Sequence, residues 1–292
     1  MEIRGSIVAI VTPFKNGNVD ETALAKLVKW HIEQGTDGIV PCGTTGESAT
    51  LSHDEHDKVI DVVVKAAGGK IPVIAGTGSN NTEEAIRLTK HAETAGADAA
   101  LVIAPYYNKP TQRGLFEHFR KVADSVKIPI VLYNIASRTG INIEPETMKR
   151  LVDACKNIIA VKEASGSLDQ MTRIRALCGD KLTIISGDDA LLLPILAIGG
   201  KGVISVAANI LPKDMSDYVK AFESGDLNKA REYYYKLYPL IKNIFIETNP
   251  GPIKEAMKKM GLCEATLRLP LYEMEDNNKQ KLFRAMKDYG II

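Results

Sequence analysis

The strongest constraint on the fold is a regular alternation, along most of the chain, of short apolar runs with helical patterns. Eight runs are apolar at successive positions, as expected for parallel strands that helices cover. They are "SIVAIVTP", "GIVPCG", "IPVIAGTG", "AALVIAP", "IPIVLYN", "IIAVKEA", "LTIISG" and "GVISVAA". Eight such units predict an α/β fold, a (β/α)8 TIM barrel. A doubly wound open sheet is the competing architecture, but eight successive parallel strands favour closure.

The segments between the apolar runs carry helix signals. Ser52 with Glu55 three residues later forms a capping box, and Asn81 with Glu84 forms a similar pair. One apolar helix face is spaced at i, i+4, i+7, i+8 and i+11. It consists of Leu115, Phe119, Val122, Ala123 and Val126. These signals predict amphipathic helices between successive strands.

The strand pattern ends near residue 224, and a helical pattern follows. Three helical stretches lie around 226–247, 251–261 and 275–289. No linker rich in Pro, Gly or Ser precedes them, so we expect them to pack on the barrel. The predicted organisation is a (β/α)8 barrel at residues 1–224, which would carry any active site, and a C-terminal helical region at residues 225–292.

Charge and composition argue against several classes of protein. The net charge is +1 and no basic block occurs, which disfavours nucleic acid or a membrane surface as the main partner. No run approaches the roughly 18 apolar residues of a membrane span, and the N-terminus lacks the pattern of a signal peptide. The cysteines have neither metal-like nor disulfide-like spacing. These features predict a soluble, reduced, cytoplasmic protein.

In a TIM barrel the active site lies at the carboxyl ends of the strands, so the residues that follow each run are candidates. "GTTGES" follows the second run, Tyr106 and Tyr107 follow the fourth, and Tyr133 and then Arg138 follow the fifth. Lys162 ends the sixth run, and "SGDD" and "VAAN" follow the last two. An amine, phenols, an arginine and a glycine-rich turn are therefore predicted to share one rim.

Lys162 is the most unusual of these residues because it places an ammonium group at the end of an apolar strand. Such a lysine can extend to water without any chemical role. Alternatively, burial favours the neutral amine, which can attack a ketone and form a Schiff base. Tyr133 ends the preceding strand, so its phenol would be placed for proton transfer during carbinolamine formation and dehydration. Alternation sends Glu163 to the opposite face, toward the helices.

Anion-binding groups accompany this amine. In "GTTGES" two glycines flank two threonines, so backbone N–H groups and hydroxyls can face an anion, although an ordinary turn has a similar composition. A carboxylate suits it better than a phosphate, which this fold usually binds after strands seven and eight. Arg138 provides a guanidinium for a second carboxylate, unless it is simply solvated.

Two histidines raise the question of a metal site. His53 and His56, in "SHDEHD", lie on one helical turn, but no third ligand has metal-like spacing. The Ser52 and Glu55 cap also begins a helix here. We therefore predict no metal site.

At these residues the sequence resembles the dihydrodipicolinate synthase family, within the group of pyruvate-dependent class I aldolases that includes N-acetylneuraminate lyase. The resemblance runs from "VTPF" to "NPGPIK" through "GTTGESATL", "APYYNKPTQ", "YNIASRTG", "VKEASG", "SGDD" and "GVISVAAN". It implies a lyase that condenses pyruvate with L-aspartate 4-semialdehyde, the first committed step of lysine biosynthesis through diaminopimelate. It implies no cofactor, only a covalent pyruvate imine.

The resemblance also implies catalytic roles. Lys162 would form the imine with pyruvate, and Thr44, Tyr107 and Tyr133 would form a proton relay. Tyr107 would reach a neighbouring subunit's site across a tight dimer, in a homotetramer built as a dimer of dimers.

Substrate-binding roles are implied in the same way. Thr45 and the adjacent backbone would hold the pyruvate carboxylate, and Arg138 would hold the carboxylate of the aldehyde substrate. Gly187 and Ile204 match pocket positions that act through backbone groups.

Feedback inhibition by L-lysine is implied because every position of the family's effector site carries a compatible residue. Glu84 would pair with the α-amino group of the effector, and the histidines would meet its ε-amino group. The matching positions are Ser48, Ala49, His53, His56, Asn80, Glu84 and Tyr106.

Two positions depart from the family pattern, and neither removes a chemical group. Ala136 replaces a common proline, and Gly251 replaces a larger residue.

Two other functions stay open. N-acetylneuraminate lyase or a related 2-keto acid aldolase would share Lys162 and Tyr133, but Arg138 within "SRTG" favours the synthase. A catalytically silent binding protein on the same scaffold is less consistent with an amine and a phenol kept together.

Overall fold

The computed structural model describes residues 2–292, and it confirms all eight strands expected from the sequence. The strands are shorter than the apolar runs because the last residues of most runs belong to loops. They are β1 (Gly5–Ala9), β2 (Gly38–Val40), β3 (Ile74–Gly76), β4 (Ala99–Ile103), β5 (Ile130–Asn134), β6 (Ile158–Glu163), β7 (Thr183–Ser186) and β8 (Gly202–Ser205).

The order of the strands distinguishes the two predicted architectures. All eight belong to one sheet with the order β2-β1-β8-β7-β6-β5-β4-β3, so the first strand in the sequence lies beside the last. The registered pairs are parallel. A doubly wound open sheet reverses its order at a switch point and leaves its first and last strands apart. The TIM-barrel fold is confirmed, and the open sheet is wrong.

A two-stranded hairpin was not predicted. Phe14–Lys15 pairs antiparallel with Asn18–Val19. Asn16 and Gly17 between them both have positive φ, at 52° and 80°. An Asn-Gly pair is the commonest residue choice for such a two-residue turn, so the sequence did carry a signal for it.

The helices lie where the sequence patterns predict them. Those between strands are α1 (Glu21–Glu33), α2 (His53–Ala67), α3 (Thr82–Ala95), α4 (Gln112–Asp124), α5 (Ala136–Thr139), α6 (Pro145–Ala154), α7 (Leu168–Cys178) and α8 (Leu192–Ala197). Those after β8 are α9 (Pro212–Glu223), α10 (Leu227–Ile244), α11 (Gly251–Lys259) and α12 (Asp276–Tyr289). Among residues 2–292, no helix is long and apolar enough to span a membrane.

Of the two predicted helix caps, one forms as expected and the other includes a third residue. At the start of α2, the Ser52 hydroxyl accepts from the Glu55 N–H and the Glu55 carboxylate accepts from the Ser52 N–H. At the start of α3, Asn81 N–H donates to the Ser79 hydroxyl at 3.1 Å, and that hydroxyl donates to Glu84. The Asn81 side chain itself caps α3 by accepting from the Glu83 N–H at 3.0 Å, and Ser79 connects the Asn81 N–H to Glu84.

Two compact units divide the chain. One consists of residues 2–4 with Pro72–Ile204, and its apolar core lies between strands β4 to β7 and their helices. The other consists of Gly5–Ile71 with Ser205–Ile292, and in it α10 packs against α9, α11 and α12. These boundaries differ from the expected division at residue 224, which stays a prediction.

Candidate active site

Lys162 and Tyr133 are neighbours on adjacent strands, as predicted. They are Cα partners in the parallel register of β6 and β5. The Lys162 Nζ atom lies 4.3 Å from the centroid of the Tyr133 ring, and the two residues are only 6% and 5% exposed. Among residues 2–292, no carboxylate lies within ion-pairing distance of this amine. The amine nitrogen therefore faces an aromatic ring rather than a carboxylate.

Glu163 faces the helices, as the alternation along β6 predicts. Its carboxylate accepts hydrogen bonds from Asn134 Nδ2 at 3.0 Å, Gln170 Nε2 at 3.1 Å and the Ser165 N–H at 2.7 Å. Asn142 extends this network, accepting from Asn134 Nδ2 at 2.8 Å and donating to Gln170 Oε1 at 2.7 Å. Asn134 and Glu163 directly follow the tyrosine and the lysine, so the buried network immobilises the strand ends that carry them.

Gly187 lies against the stem of Lys162, where a side chain would not fit. Its N–H donates to the Glu163 carbonyl at 2.8 Å. A Cβ atom at position 187 would lie 3.2 Å from Lys162 Cγ and 2.6 Å from Ala164 Cβ. Glycine is thus required for the close approach of this backbone to the lysine. Ile204 is a residue of β8 that is only 1% exposed.

The predicted anion-binding turn contacts residues of the C-terminal helical region. Thr45 is 2% exposed, and its Oγ1 accepts a hydrogen bond from Asn249 Nδ2 at 3.0 Å. Glu47 forms an ion pair with Lys254, and both side chains are fully buried. Thr44 is partly exposed, and its carbonyl accepts from the Glu47 N–H at 3.1 Å. Asn249 and Lys254 therefore hold the turn at Thr45 and at Glu47, from positions 204 and 207 residues further along the chain.

The ion pair is surrounded by further partners. Lys254 Nζ donates to the Thr266 carbonyl at 2.8 Å and lies 4.3 Å from the centroid of the Phe14 ring. The second Glu47 carboxylate oxygen accepts from the Arg268 N–H at 3.2 Å. Burial lowers the pKa of Lys254, and the Glu47 carboxylate opposes that shift. Every polar group of this pair thus has a partner, as a buried charge requires.

Asn249, Glu47 and Lys254 were not among the predicted site residues. Glu47 lies within "GTTGES", and the other two lie within "NPGPIK". Both stretches carry the family resemblance, but none of these three residues had a predicted role. Glu47 and Lys254 are 207 positions apart in the chain. No periodicity relates residues at that separation, so the pair emerges only from the folded structure.

Several predicted site residues are exposed. Arg138, in α5, is exposed, and Tyr106 is 38% exposed. Tyr107 is 88% exposed and has φ 71°, in the left-handed region that non-glycine residues rarely adopt. A large aromatic side chain thus projects into solvent from a backbone conformation that is unfavourable for it.

The seven positions matched to an L-lysine site are divided between the two units. Ser48 and Ala49 lie in a short 3-10 turn before α2, and His53 and His56 lie in the first turn of α2; of these four only His56 is buried, at 5% exposure. Asn80, Glu84 and Tyr106 belong to the other unit; the Asn80 carbonyl accepts from the side-chain amide of Asn108 at 2.9 Å. No group of three or more metal-ligand residues is placed to bind a metal within residues 2–292.

Comparison with known proteins gives consistent results over the whole chain. Residues 2–289 match the dihydrodipicolinate synthetase family. The 4-hydroxy-tetrahydrodipicolinate synthase of Syntrophus aciditrophicus is 58% identical over 289 residues, which is 99% of each chain. At this identity and coverage the similarity extends to every element described above.

Solved structures agree. Dihydrodipicolinate synthase from Aquifex aeolicus has a TM-score of 0.98 at 52% identity, with 99% of each chain covered. The enzyme from Acinetobacter baumannii, solved with pyruvate, has a TM-score of 0.97 at 45% identity, covering both chains completely. The enzyme from Cyanidioschyzon merolae, solved with lysine bound, has a TM-score of 0.96 at 42% identity, with 99% of each chain covered.

Proposed function

Because the chain belongs to the dihydrodipicolinate synthetase family, we propose that it condenses pyruvate with L-aspartate 4-semialdehyde through an imine on Lys162. The relatives are named 4-hydroxy-tetrahydrodipicolinate synthase, which agrees with the activity predicted from the sequence. The observation that carries the proposal is the buried Lys162 amine, 4.3 Å from the Tyr133 ring centroid and without a carboxylate partner among residues 2–292. No cofactor takes part, since pyruvate itself is held covalently.

The first half of the reaction forms the imine. The neutral amine of Lys162 attacks the keto carbon of pyruvate, and the resulting carbinolamine loses its hydroxyl as water. The Tyr133 phenol donates the proton that this hydroxyl needs to leave and recovers it from the reacting nitrogen. In our proposal Thr44 and Tyr107 extend this proton relay.

The second half forms the carbon–carbon bond and the ring. Loss of a proton from the methyl carbon gives the enamine, which attacks the aldehyde carbon, and the aldehyde oxygen takes up a proton. The amino group of the semialdehyde then attacks the imine carbon and displaces the Lys162 amine. One water is released overall, the product is 4-hydroxy-tetrahydrodipicolinate, and the free lysine is regenerated.

The binding roles are assigned by chemistry. Thr45 and the adjacent backbone N–H groups hold the pyruvate carboxylate, and Arg138 holds the carboxylate of the semialdehyde. Gly187 and Ile204 contribute backbone groups to the pocket. The barrel of residues 1–224 carries this chemistry, and residues 225–292 form a helical region, in a cytoplasmic enzyme.

Regulation and assembly belong to the same proposal. L-lysine inhibits the enzyme through the seven positions matched above, which is supported by the lysine complex of the Cyanidioschyzon merolae relative. The active form is a homotetramer, a dimer of dimers, in which Tyr107 reaches the partner's site. Its 88% exposure and left-handed backbone support that role.

Borohydride reduction tests the central step. Incubation with pyruvate and borohydride reduces the imine to a stable secondary amine, and peptide mass mapping should locate the added mass at Lys162. Absence of any adduct would refute the proposal. Turnover with aspartate semialdehyde, but not with sugar-derived aldehydes, separates the synthase from N-acetylneuraminate lyase.

Two further measurements address regulation and assembly. A saturating concentration of L-lysine should reduce the rate, and an unchanged rate would exclude feedback inhibition. Sedimentation velocity should show a tetramer, and a persistent monomer would contradict the assembly.

A further inference from the structure

The C-terminal helical region supplies side chains that contact the predicted anion-binding turn. We propose that Asn249 is a positioning residue that directs the Thr45 hydroxyl at the pyruvate carboxylate, while the Lys254–Glu47 ion pair fixes the turn that carries it. The inference rests on the proposed function, in which Thr45 binds that carboxylate.

The hydrogen bond between Asn249 and Thr45 sets the polarity of the hydroxyl. The amide nitrogen of Asn249 can only donate, and it lies 3.0 Å from Thr45 Oγ1. Thr45 therefore accepts this bond, and its single O–H hydrogen has to be directed elsewhere. Both residues are buried, at 5% and 2% exposure, so water does not compete effectively for either group. A hydroxyl held in this way is a donor prepared for an anionic ligand.

The turn itself requires tertiary contacts to keep its conformation. Cys42 and Glu47 both have φ 54°, a left-handed conformation that is unfavourable for residues with a Cβ. Between them, a Cβ atom at Gly46 would lie 3.1 Å from the Cys42 N atom and 3.2 Å from the Ile10 carbonyl oxygen. The Thr12 hydroxyl also donates to the Gly46 carbonyl at 2.7 Å. A turn so constrained has little freedom to adapt to its ligand.

Lys254 provides a charged contact to this turn. Its ammonium group is fully buried against the Glu47 carboxylate, and Glu47 is two residues after Thr45. Breaking the pair would leave Glu47 buried and unpaired in its strained conformation, so the turn would rearrange. Asn249 and Lys254 are thus positioning residues, one for the hydroxyl and one for the backbone that carries it.

The KM for pyruvate should rise in both Asn249 variants, and more in Asn249→Asp than in Asn249→Ala. Asn249→Ala frees the Thr45 hydroxyl to point away from the substrate, so KM for pyruvate should rise about three- to tenfold with little change in kcat. Asn249→Asp keeps the shape of the side chain but accepts the Thr45 hydrogen and repels the substrate carboxylate. Its KM should rise about tenfold or more. A residue that matters only for stability would not produce this order.

The experiment compares both variants with the wild type and with Asn228→Ala, a matched control because Asn228 is an exposed residue of α10. The readouts are kcat, KM for pyruvate and the pyruvate concentration that gives half-maximal borohydride trapping on Lys162. In a Thr45→Val background, Asn249→Ala should cause no further rise in KM, because the hydroxyl that it directs is absent. Thermal unfolding identifies variants that are not folded. If Asn249→Ala does not fold, the isosteric Asn249→Asp is used for the kinetic comparison instead.

The outcomes separate this inference from the proposed function. If the wild type is trapped by pyruvate but the folded Asn249 variants have the wild-type half-saturation, the positioning role is wrong and the function stands. Equal effects of Asn249→Ala with and without the Thr45 hydroxyl would also overturn it. If the wild type gives no adduct, the proposed function fails and the inference fails with it.

Discussion

The molecule contains two buried lysines with the same aromatic contact and opposite electrostatic surroundings. Lys162 and Lys254 each place Nζ 4.3 Å from a ring centroid, of Tyr133 and of Phe14 respectively. Lys254 is fully buried, yet it has a carboxylate and a carbonyl as partners. Lys162 is 6% exposed and has no carboxylate partner among residues 2–292. Burial alone therefore does not distinguish the two lysines, whereas the presence or absence of a carboxylate partner does.

The largest expected effect is on catalysis. Replacing Lys162 by alanine removes the nucleophile, so the rate should fall by about 10⁴-fold or more, and borohydride should trap no pyruvate. Lys156→Ala is the matched control, because Lys156 is an exposed lysine just before the same strand and should retain activity. Trapping by Lys162→Ala at the wild-type level would contradict the assigned role.

The second effect concerns stability. Lys254→Met leaves the Glu47 carboxylate buried without its ammonium partner, so the free energy of unfolding should fall by about 3–5 kcal/mol. Urea unfolding measures this loss, and Lys162→Met in the same assay should lose less than about 1 kcal/mol. Adding Glu47→Gln to Lys254→Met should recover part of the loss. Equal losses for the two lysine variants would remove the distinction between them.

A smaller effect separates the chemistry of Tyr133 from its packing. Tyr133→Phe keeps the ring beside Lys162 but removes the phenol, so kcat should fall about a hundredfold. Stability should change by less than about 1 kcal/mol, because the buried ring is retained. Steady-state kinetics and urea unfolding of the same preparation test both statements. A wild-type kcat would exclude the phenol from proton transfer.

The smallest effect is a pH dependence at the start of α2. The Arg268 guanidinium, which donates to both Glu55 carboxylate oxygens, lowers the pKa of Glu55 to about 2. Because the pKa is lower in the folded state, the stabilisation is complete above the ordinary pKa near 4.5 and disappears as the pH falls toward 2. Arg268→Gln should therefore differ most from the wild type above pH 4.5. Unfolding titrations between pH 2 and pH 7 measure this, and a pH-independent difference would contradict it.

Much of the site followed from the sequence because its determinants are local. The apolar run before Lys162 predicts a strand, and alternation along that strand places Lys162 and Glu163 on opposite faces, as the structure confirms. Adjacent parallel strands bring the last residues of each to the same edge, so Tyr133 was expected beside Lys162. The Ser52 capping box was equally local.

The remaining features depend on contacts between distant segments. The hairpin at Phe14–Lys15 was missed although "KNGN" carries its turn signal, because the strands of two residues are too short to show alternation. The partner of Glu47 was not predictable, since many lysines in the chain have helical neighbours and only packing selects Lys254. Asn249 was missed for the same reason.

The sequence by itself determined the order of the barrel strands and of the helices between them, the barrel class, the family and the identity of the proposed nucleophile, because each depends on periodicity, strand order or a contiguous motif. Only the tertiary structure decided which buried lysine is neutralised by a carboxylate and which side chain orients Thr45. Those outcomes depend on which polar groups meet after the chain has packed. Lys162 ends an apolar strand and Lys254 lies in a helix, and their surroundings in the fold make one a proposed nucleophile and the other a structural cation.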